Sequence, residues 1–301
     1  MIILKLTDGL GNQMFQYAYA RCLQIELGEN KLYLDITKLG GRHVRKYALN
    51  AFILNKDVVI PSKFIQYFSR LYVKIVLNLF YRVFRISTTS NRGVNLFCRW
   101  GLYTNSAYYH YFPFVRSSMP IRFVRGFFQN EAYFKGIKPI LVKEFQLNIN
   151  ISNDVNNMAR CLETNDSVCV HIRRGDFIGK KEFNVCNESY YLNAIAYIRA
   201  LYPSAKFYIF SNTPADIEWI KSNYKLCDDV VYMDNENTDI EDFYLMKSCG
   251  HFIISNSTFS WWAAYLSEND SKVVVAPRPW VNDCTDFDGI YCKDWVVLDV
   301  N

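Results

Sequence analysis

Between residues 168 and 276 short apolar runs alternate with segments of helical length, and this alternation restricts the chain to a parallel sheet covered on both faces by helices. Strands are predicted at 168–172, 206–210, 230–233, 252–255 and 272–276, and helices near 188–201, 214–223, 239–248 and 258–267. In such sheets ligands bind beyond the carboxyl ends of the strands. The N-terminus opens the same way. A strand at 2–6 leads into the turn Asp8-Gly9-Leu10-Gly11, then a helix over 12–27 with Met14, Ala18, Cys22 and Ile25 at helical spacing. Gly28 is placed to end that helix, and a strand at 31–35 completes a βαβ unit.

A chain of 301 residues exceeds most single compact domains, so two domains are expected, at 1–150 and 151–301, with a linker around 139–155. Charge divides the same way. The first half carries 21 Lys/Arg against 7 Asp/Glu, the second 13 against 22. No acidic residue lies between Asp57 and Glu131, where ten Lys/Arg fall among many Tyr and Phe, so an anionic partner is expected to face that stretch. With half of the residues hydrophobic, disorder is excluded. The nine cysteines include no C-x-x-C pair and fit reduced thiols in a cytosolic setting. The N-terminus lacks signal-peptide features, and no apolar run approaches the roughly 20 residues of a membrane span. The expected location is cytoplasmic, including the cytoplasmic membrane face.

Residues 63–86 form a helix with Lys63, Arg70, Lys74 and Arg85 along one stripe and apolar side chains around most of the rest. Two readings fit: a buried helix of the first domain, which is favoured, or a helix lying on anionic lipid headgroups as a peripheral membrane contact. Residues 87–130 lack clear periodicity and read as irregular structure with a short strand at 121–125.

Three polar clusters follow predicted strands: His171-Ile-Arg173-Arg174-Gly175-Asp176, Ser211-Asn212, and Ser255-Asn256-Ser257-Thr258 running into a helix. Together they suit a diphosphate. Arginine supplies a fork of donors, and a helix N-terminus supplies backbone N–H groups and hydroxyls. Singly, each has a plainer reading as a surface ion pair, a core histidine or an N-cap. Trp261 and Trp262 read as core. In the first half, Gly9, Gly11, Asn12 and Gln13 form a loop suited to a sugar or phosphate; Met14 stands where a dinucleotide fingerprint needs glycine, and no Gly-Lys-Ser/Thr marks a P-loop. Asp286-Phe-Asp288 has the spacing of a metal-binding D-x-D but reads as a solvated turn, so no metal is assigned.

The chain resembles family 11 glycosyltransferases, the α-1,2-fucosyltransferases. The resemblance rests on Asp8-Gly-Leu-Gly-Asn-Gln-Met-Phe-Gln-Tyr-Ala18, His171-Ile-Arg-Arg-Gly-Asp176, and Glu241-Asp-Phe-Tyr-Leu-Met246 leading into Ser255-Asn-Ser-Thr-Phe-Ser-Trp-Trp-Ala-Ala264. It implies an α/β, GT-B-like fold: two Rossmann-like domains facing a cleft, the C-terminal parallel sheet binding the nucleotide sugar. It also implies inverting transfer of L-fucose from GDP-fucose to the 2-hydroxyl of a glycan acceptor ending in galactose, in surface polysaccharide or O-antigen synthesis. By the same resemblance Arg173 stabilises the departing GDP, His171, Ser257 and Thr258 line the nucleotide site, and no metal or other cofactor is needed. Gly9, Gly11, Asn12, Gln13, Arg174, Ser211, Asn212 and Asn256 complete the expected donor set.

The family's second block often reads Ser-Asn-Asp or Ser-Asp-Asp before a Trp. Here Ser211-Asn212-Thr213-Pro214-Ala215 precedes Asp216 and Trp219, leaving Asn212 or Asp216 to read guanine. Asp176 is the first candidate for the base that deprotonates the acceptor, and Glu182 a weaker one. A lipid-diphosphate carrier for the acceptor fits the basic aromatic segment. Other GDP-sugar transferases on the same scaffold are the nearest rival. A non-catalytic anion binder is a further one, whereas nucleic acid is not an expected partner because the basic half carries no known binding module.

Overall fold

The structure is a computed structural model that describes residues 1–300 apart from 41–44, 84, 87–88, 234–235, 283 and 285–286, and apart from the side chains of Val83, Asp176 and Asp288. The chain divides into two compact units, Met1–Asn148 with Asp288–Ile290, and Ile149–Phe287 with Tyr291–Asn301. Each is a parallel α/β layer structure.

In the first unit, β1 (Ile2–Lys5), β2 (Leu32–Asp35), β3 (Val58–Val59), β4 (Leu102–Asn105) and β5 (Arg122–Gly126) form one sheet in the order β3-β2-β1-β5-β4, with every pairing parallel. The chain therefore builds outward from β1 in one direction, then restarts on its other side. The carboxyl ends of β1 and β5 flank that reversal. Helix α1 (Leu10–Leu27) crosses from β1 to β2 and ends where expected, at Gly28, whose φ of 64° admits the left-handed cap. The predicted stripe leaves the core midway: Met14 and Ala18 are fully buried, whereas Ile25 is exposed.

One buried ionic contact ties α1 to α4 (Lys138–Glu144): Glu144 accepts from Tyr17 Oη at 2.6 Å and from Arg21 Nε at 2.9 Å. Both charged side chains are nearly withdrawn from water, so the loss of either leaves the other uncompensated.

Helix α2 (Lys63–Asn78), continued by a π-helical turn at Leu79–Val83, is not the buried helix favoured from the sequence. Its inner face packs Val76, with Ile65, Tyr72, Val73 and Leu77, against Ile3 and Phe123 of the sheet. On its outer face Phe64, Tyr67, Phe68, Leu71, Ile75 and Leu79 are 40 to 76% exposed. Apolarity around nearly the whole helix reads as burial, but here two apolar faces have different neighbours. The stretch 89–130 is also more regular than expected. It contains α3 (Asn91–Arg99) and β4 as well as the foreseen strand, while 87–88 and residue 84 lie outside the described residues. Among the described residues no helix is long and apolar enough to cross a membrane.

The second unit opens with α5 (Asn153–Leu162). Its strands are β6 (Ser167–His171), β7 (Lys206–Phe210), β8 (Val231–Tyr232), β9 (His251–Ile253), β10 (Val274–Arg278) and β11 (Val296–Asp299), in the order β11-β10-β9-β6-β7-β8, all parallel. The intervening helices α6 (Glu188–Leu201), α7 (Pro214–Asn223), α8 (Asp239–Ser248) and α9 (Thr258–Leu266) lie where the periodicity puts them, within a residue. Polar N-caps explain the sharp starts: Asn187, Thr213, Thr238 and Ser257 each accept a backbone N–H of the first turn. Val168, Val170, Phe207, Ile209 and Ile253 fill the core between the helix layers. Here the reversal falls between β6 and β9, which places the loops after β6, β7 and β9 side by side.

Replacing Glu144 by Ala should cost about 3 to 5 kcal/mol, because Arg21 and Tyr17 would be left buried without an acceptor. Glu144→Gln, which keeps an acceptor for Tyr17, should cost less. Urea denaturation of the two variants measures the difference, and equal midpoints to wild type would show that the contact is dispensable.

Candidate active site at the carboxyl edge of the second sheet

The three polar clusters meet through hydrogen bonds between adjacent strand ends. His171 terminates β6, and its Nδ1 lies 2.9 Å from Ser255 Oγ in the loop after β9. Ser211 Oγ, after β7, donates to the Ile172 carbonyl at 2.8 Å. The Arg174 N–H donates to Asn212 Oδ1 at 3.1 Å. Tyr190 of α6 holds the sheet edge from behind, its hydroxyl donating to the Ile254 carbonyl at 2.7 Å.

His171 is 2% exposed, and burial together with the positive charge of Arg173 pushes its pKa down to about 3. The imidazole is therefore neutral at physiological pH. Its ring faces Phe259 of α9 at 6.0 Å, and Phe259 in turn meets Phe243 of α8 at 5.5 Å. The first turns of both helices thus pack around the end of β6.

The two arginines have different surroundings. Arg173 is half-buried, its guanidinium carbon 5.3 Å from the Phe177 ring centre. Arg174, expected among the donor ligands, lies over Trp219 with its guanidinium carbon 3.1 Å from a ring centre, and its Nε is 3.5 Å from Asp216 Oδ1. Asp216 also accepts from Thr213 Oγ1 at 2.9 Å. Arg174, Asp216 and Trp219 therefore brace α7 against the loop after β6. Gly175, at φ +36°, sits so close to Asn212 that a Cβ would come within 3.1 Å of its side chain. Asn212 holds this loop in place, which leaves less of it for a ligand than the sequence reading expected.

Ser257 caps α9, accepting from the Phe259 N–H at 3.3 Å, and Thr258 is the first helical residue. Asn256 has a structural assignment: its Nδ2 donates to the carbonyls of Phe183 and Trp280, both at 3.0 Å. Trp261 and Trp262 are fully buried, as core residues. The Asp176 side chain lies outside the described residues, as do Asp286 and the Asp288 side chain of the D-x-D; Glu182 is exposed.

The residues expected from the N-terminal loop stand in the first unit, after β1. Gln13 is fully buried and clamps the loop itself, donating to the carbonyls of Asp8 and Lys46 and accepting from the Ala48 N–H. Its side chain is spent on the fold. Asn12 is half-buried and accepts from Gln129 Nε2 at 2.7 Å. Gly9 is the extended N-cap of α1, and Gly11 is buried in its first turn.

Asp242 was not among the residues singled out, although it lies in a quoted motif. It stands in the first turn of α8, beside Phe243, and accepts from Asn237 Nδ2 at 3.0 Å. Burial lifts its pKa to about 6, opposed by the Asn237 hydrogen bond and reinforced by Asp239 and Glu241. An acid held at a helix start among other acids, just before a buried Phe, was the signal available in the sequence.

Comparison with known proteins identifies the fold and the family. The second unit supplies a neutral histidine, an arginine and a helix N-terminus at a sheet reversal, where open α/β sheets bind ligands. The fucosyltransferase NodZ from Bradyrhizobium superposes with a TM-score of 0.50 at 14% identity, covering 87% of this chain and 91% of the other, and the shared fold is that of GT-B enzymes. An alpha-1,2-colitosyltransferase from Escherichia coli is 32% identical over 93% of this chain and 92% of its own. Galactoside alpha-(1,2)-fucosyltransferase 2 from Rattus norvegicus is 32% identical over 51% of this chain and 46% of its own. The model of glycosyl transferase family 11 matches residues 1–299, and the chain belongs to that family.

Proposed function

We propose that the chain is an inverting α-1,2-fucosyltransferase that moves L-fucose from GDP-β-L-fucose to the 2-hydroxyl of a terminal galactose on a surface glycan. The observation that carries the reading is the position of His171, hydrogen-bonded to Ser255 in the loop that leads into α9, with Arg173 beside it, at the reversal between β6 and β9. The acceptor oxygen attacks the anomeric carbon as the bond from that carbon to the diphosphate oxygen breaks, which inverts the centre. The leaving GDP takes the electron pair. Arg173 and the N–H groups of the first turn of α9, with the hydroxyls of Ser257 and Thr258, stabilise its growing charge without a metal ion. With Ser255 Oγ–H donating to Nδ1, neutral His171 keeps its proton on Nε2 as a further donor to phosphate. Asp176 takes the acceptor proton, with Glu182 the weaker candidate. Asp242, at the same sheet edge, suits the paired N–H donors of guanine.

A second donor is favoured by the E. coli relative: GDP-colitose, whose sugar is fucose lacking the 3-hydroxyl. A site that hydrogen-bonds that hydroxyl rejects the deoxy sugar by roughly 10⁴-fold. Competition between GDP-fucose and GDP-colitose for a galactoside acceptor, with excess EDTA present, tests donor and metal independence together. Exclusive colitose transfer would change the donor; loss of turnover restored by a divalent ion would remove the metal-free scheme.

Arg173→Ala should lower kcat/KM by about 10²-fold or more, as loss of a transition-state charge partner does. Asp176→Asn should abolish transfer while keeping GDP affinity within a few-fold. Undiminished kcat in the Asn variant would assign the base elsewhere. The raised pKa of Asp242 favours its protonated form in the fold, so its contribution to stability is present below the unfolded value near 4 and is lost as pH rises through about 6. Asp242→Asn should therefore be more stable than wild type above pH 6, by about 1 to 2 kcal/mol, and equal to it near pH 4. In thermal melts the same variant should show a smaller stabilisation by GDP; an unchanged GDP shift would remove Asp242 from the guanine site.

A further inference from the structure

The first sheet has its own reversal, between β1 and β5, and two adjoining cavities of about 550 and 340 Å³ open there. Lys5 at the end of β1 and Arg125 near the end of β5 line both. Lys38 lines the larger, and Arg70 and Lys74 of α2 line the smaller. None of these five cations makes a salt bridge within the described residues. The carboxylates in the two linings are Asp8 and Asp35, and Asp35 Oδ1 already accepts from the N–H and the hydroxyl of Thr37. Burial of Lys5, with repulsion from Arg125, Lys38 and Arg70 outweighing the pull of Asp35, lowers its pKa. A cluster of this kind is stabilised by a multivalent anion.

The same helix carries the second observation. At 100° per residue, Lys63, Arg70 and Lys74 form a stripe on the border between the packed face of α2 and its exposed apolar face, Phe64, Tyr67, Phe68, Leu71, Ile75 and Leu79. An apolar face flanked by cations is the form of a helix lying in a membrane interface with anionic groups beside it. Here two of the flanking cations, Arg70 and Lys74, also line the smaller cavity, so a group held there belongs to something at the membrane surface. A free nucleotide or a soluble glycan would leave the apolar face without a counterpart.

We infer that the paired cavities hold the diphosphate of a lipid-borne glycan acceptor while the outer face of α2 rests on the bilayer. The inference takes from the proposed function only that the acceptor is a glycan, and it gives the basic first half a partner. The lipid chain stays in the membrane under α2, the diphosphate sits between Lys5, Arg125, Arg70 and Lys74, and the glycan extends from it.

The test is flotation of the full chain, without donor, on three kinds of vesicle: phosphatidylcholine alone, phosphatidylcholine with a polyprenyl diphosphate, and phosphatidylcholine with phosphatidylglycerol at matched charge. Wild type should float best with the polyprenyl diphosphate. Leu71→Ser with Ile75→Ser should lose flotation on all three. Arg125→Gln should lose the preference for the diphosphate. Arg70→Gln with Lys74→Gln, two exposed positions whose replacement does not threaten the fold, should weaken diphosphate-vesicle binding about 20-fold. Equal binding to phosphatidylglycerol vesicles, a preference that survives in both cation variants, or no binding to any vesicle would overturn the inference. Donor turnover on a soluble galactoside, measured separately on wild type, reports on the proposed function alone.

Discussion

A strand that must lie parallel to its predecessor can be reached only by a crossover, and that constraint organises both units of this protein. Each helix returns the chain to the same starting edge, so the segments leaving the strands collect at the opposite, carboxyl edge. Where the order of strands reverses, two such segments are driven apart by their outgoing helices, and a crevice opens without any side chain being sacrificed to make it. In the second sheet the crevice at β6 and β9 receives His171, Arg173 and the start of α9. In the first, the reversal at β1 and β5 receives Lys5 and Arg125.

The legible parts of the chain were those where local and global signals agree. Helices α6, α7 and α8 have polar caps and flanking apolar strands, and their limits could be read to the residue. Strand β4 and helix α3 could not: α3 has only nine residues and its buried face includes Gly93 beside Val94, Phe97 and Cys98, while the Tyr and Phe around it pack ring on ring, as with Tyr103 against Phe114 and Phe80 against Phe97. Strand β11 is a short edge strand with half-buried residues and so lacks the dense apolar run that marked its neighbours. At the site, residue type alone did not separate a ligand-facing amide from a buried clamp. Gln13 and Asn256 have the chemistry to bind a sugar, but backbone carbonyls far away in sequence occupy them. Only tertiary contacts reveal that.

Neighbouring residues of one type are also set to different tasks by what lies beside them. Arg174 sits over an indole and is balanced by Asp216, an arrangement that gives a loop its shape. Arg173, one residue earlier, is turned to another environment beside Phe177, and its charge adds to the burial that keeps the His171 ring neutral. The brace and the cation proposed to meet the leaving group are thus adjacent in the chain, and the rigidity of the first limits where the second can stand.

The brief excursion of Asp288–Ile290 into the first unit gives the chain an interleaved rather than sequential partition. Gly289 fits where its backbone meets the Tyr109 carbonyl and the Asn130 amide, and Ile290 is wholly enclosed. A fragment cut after Asn148 would lack a piece of its own interior, contributed by residues about 140 positions downstream. Recombination among relatives that exchanges the N-terminal half alone would therefore also replace, unasked, the partner of this plug. A first unit grafted from a relative would have to bring with it the short segment, Asp288–Ile290, that closes its interior.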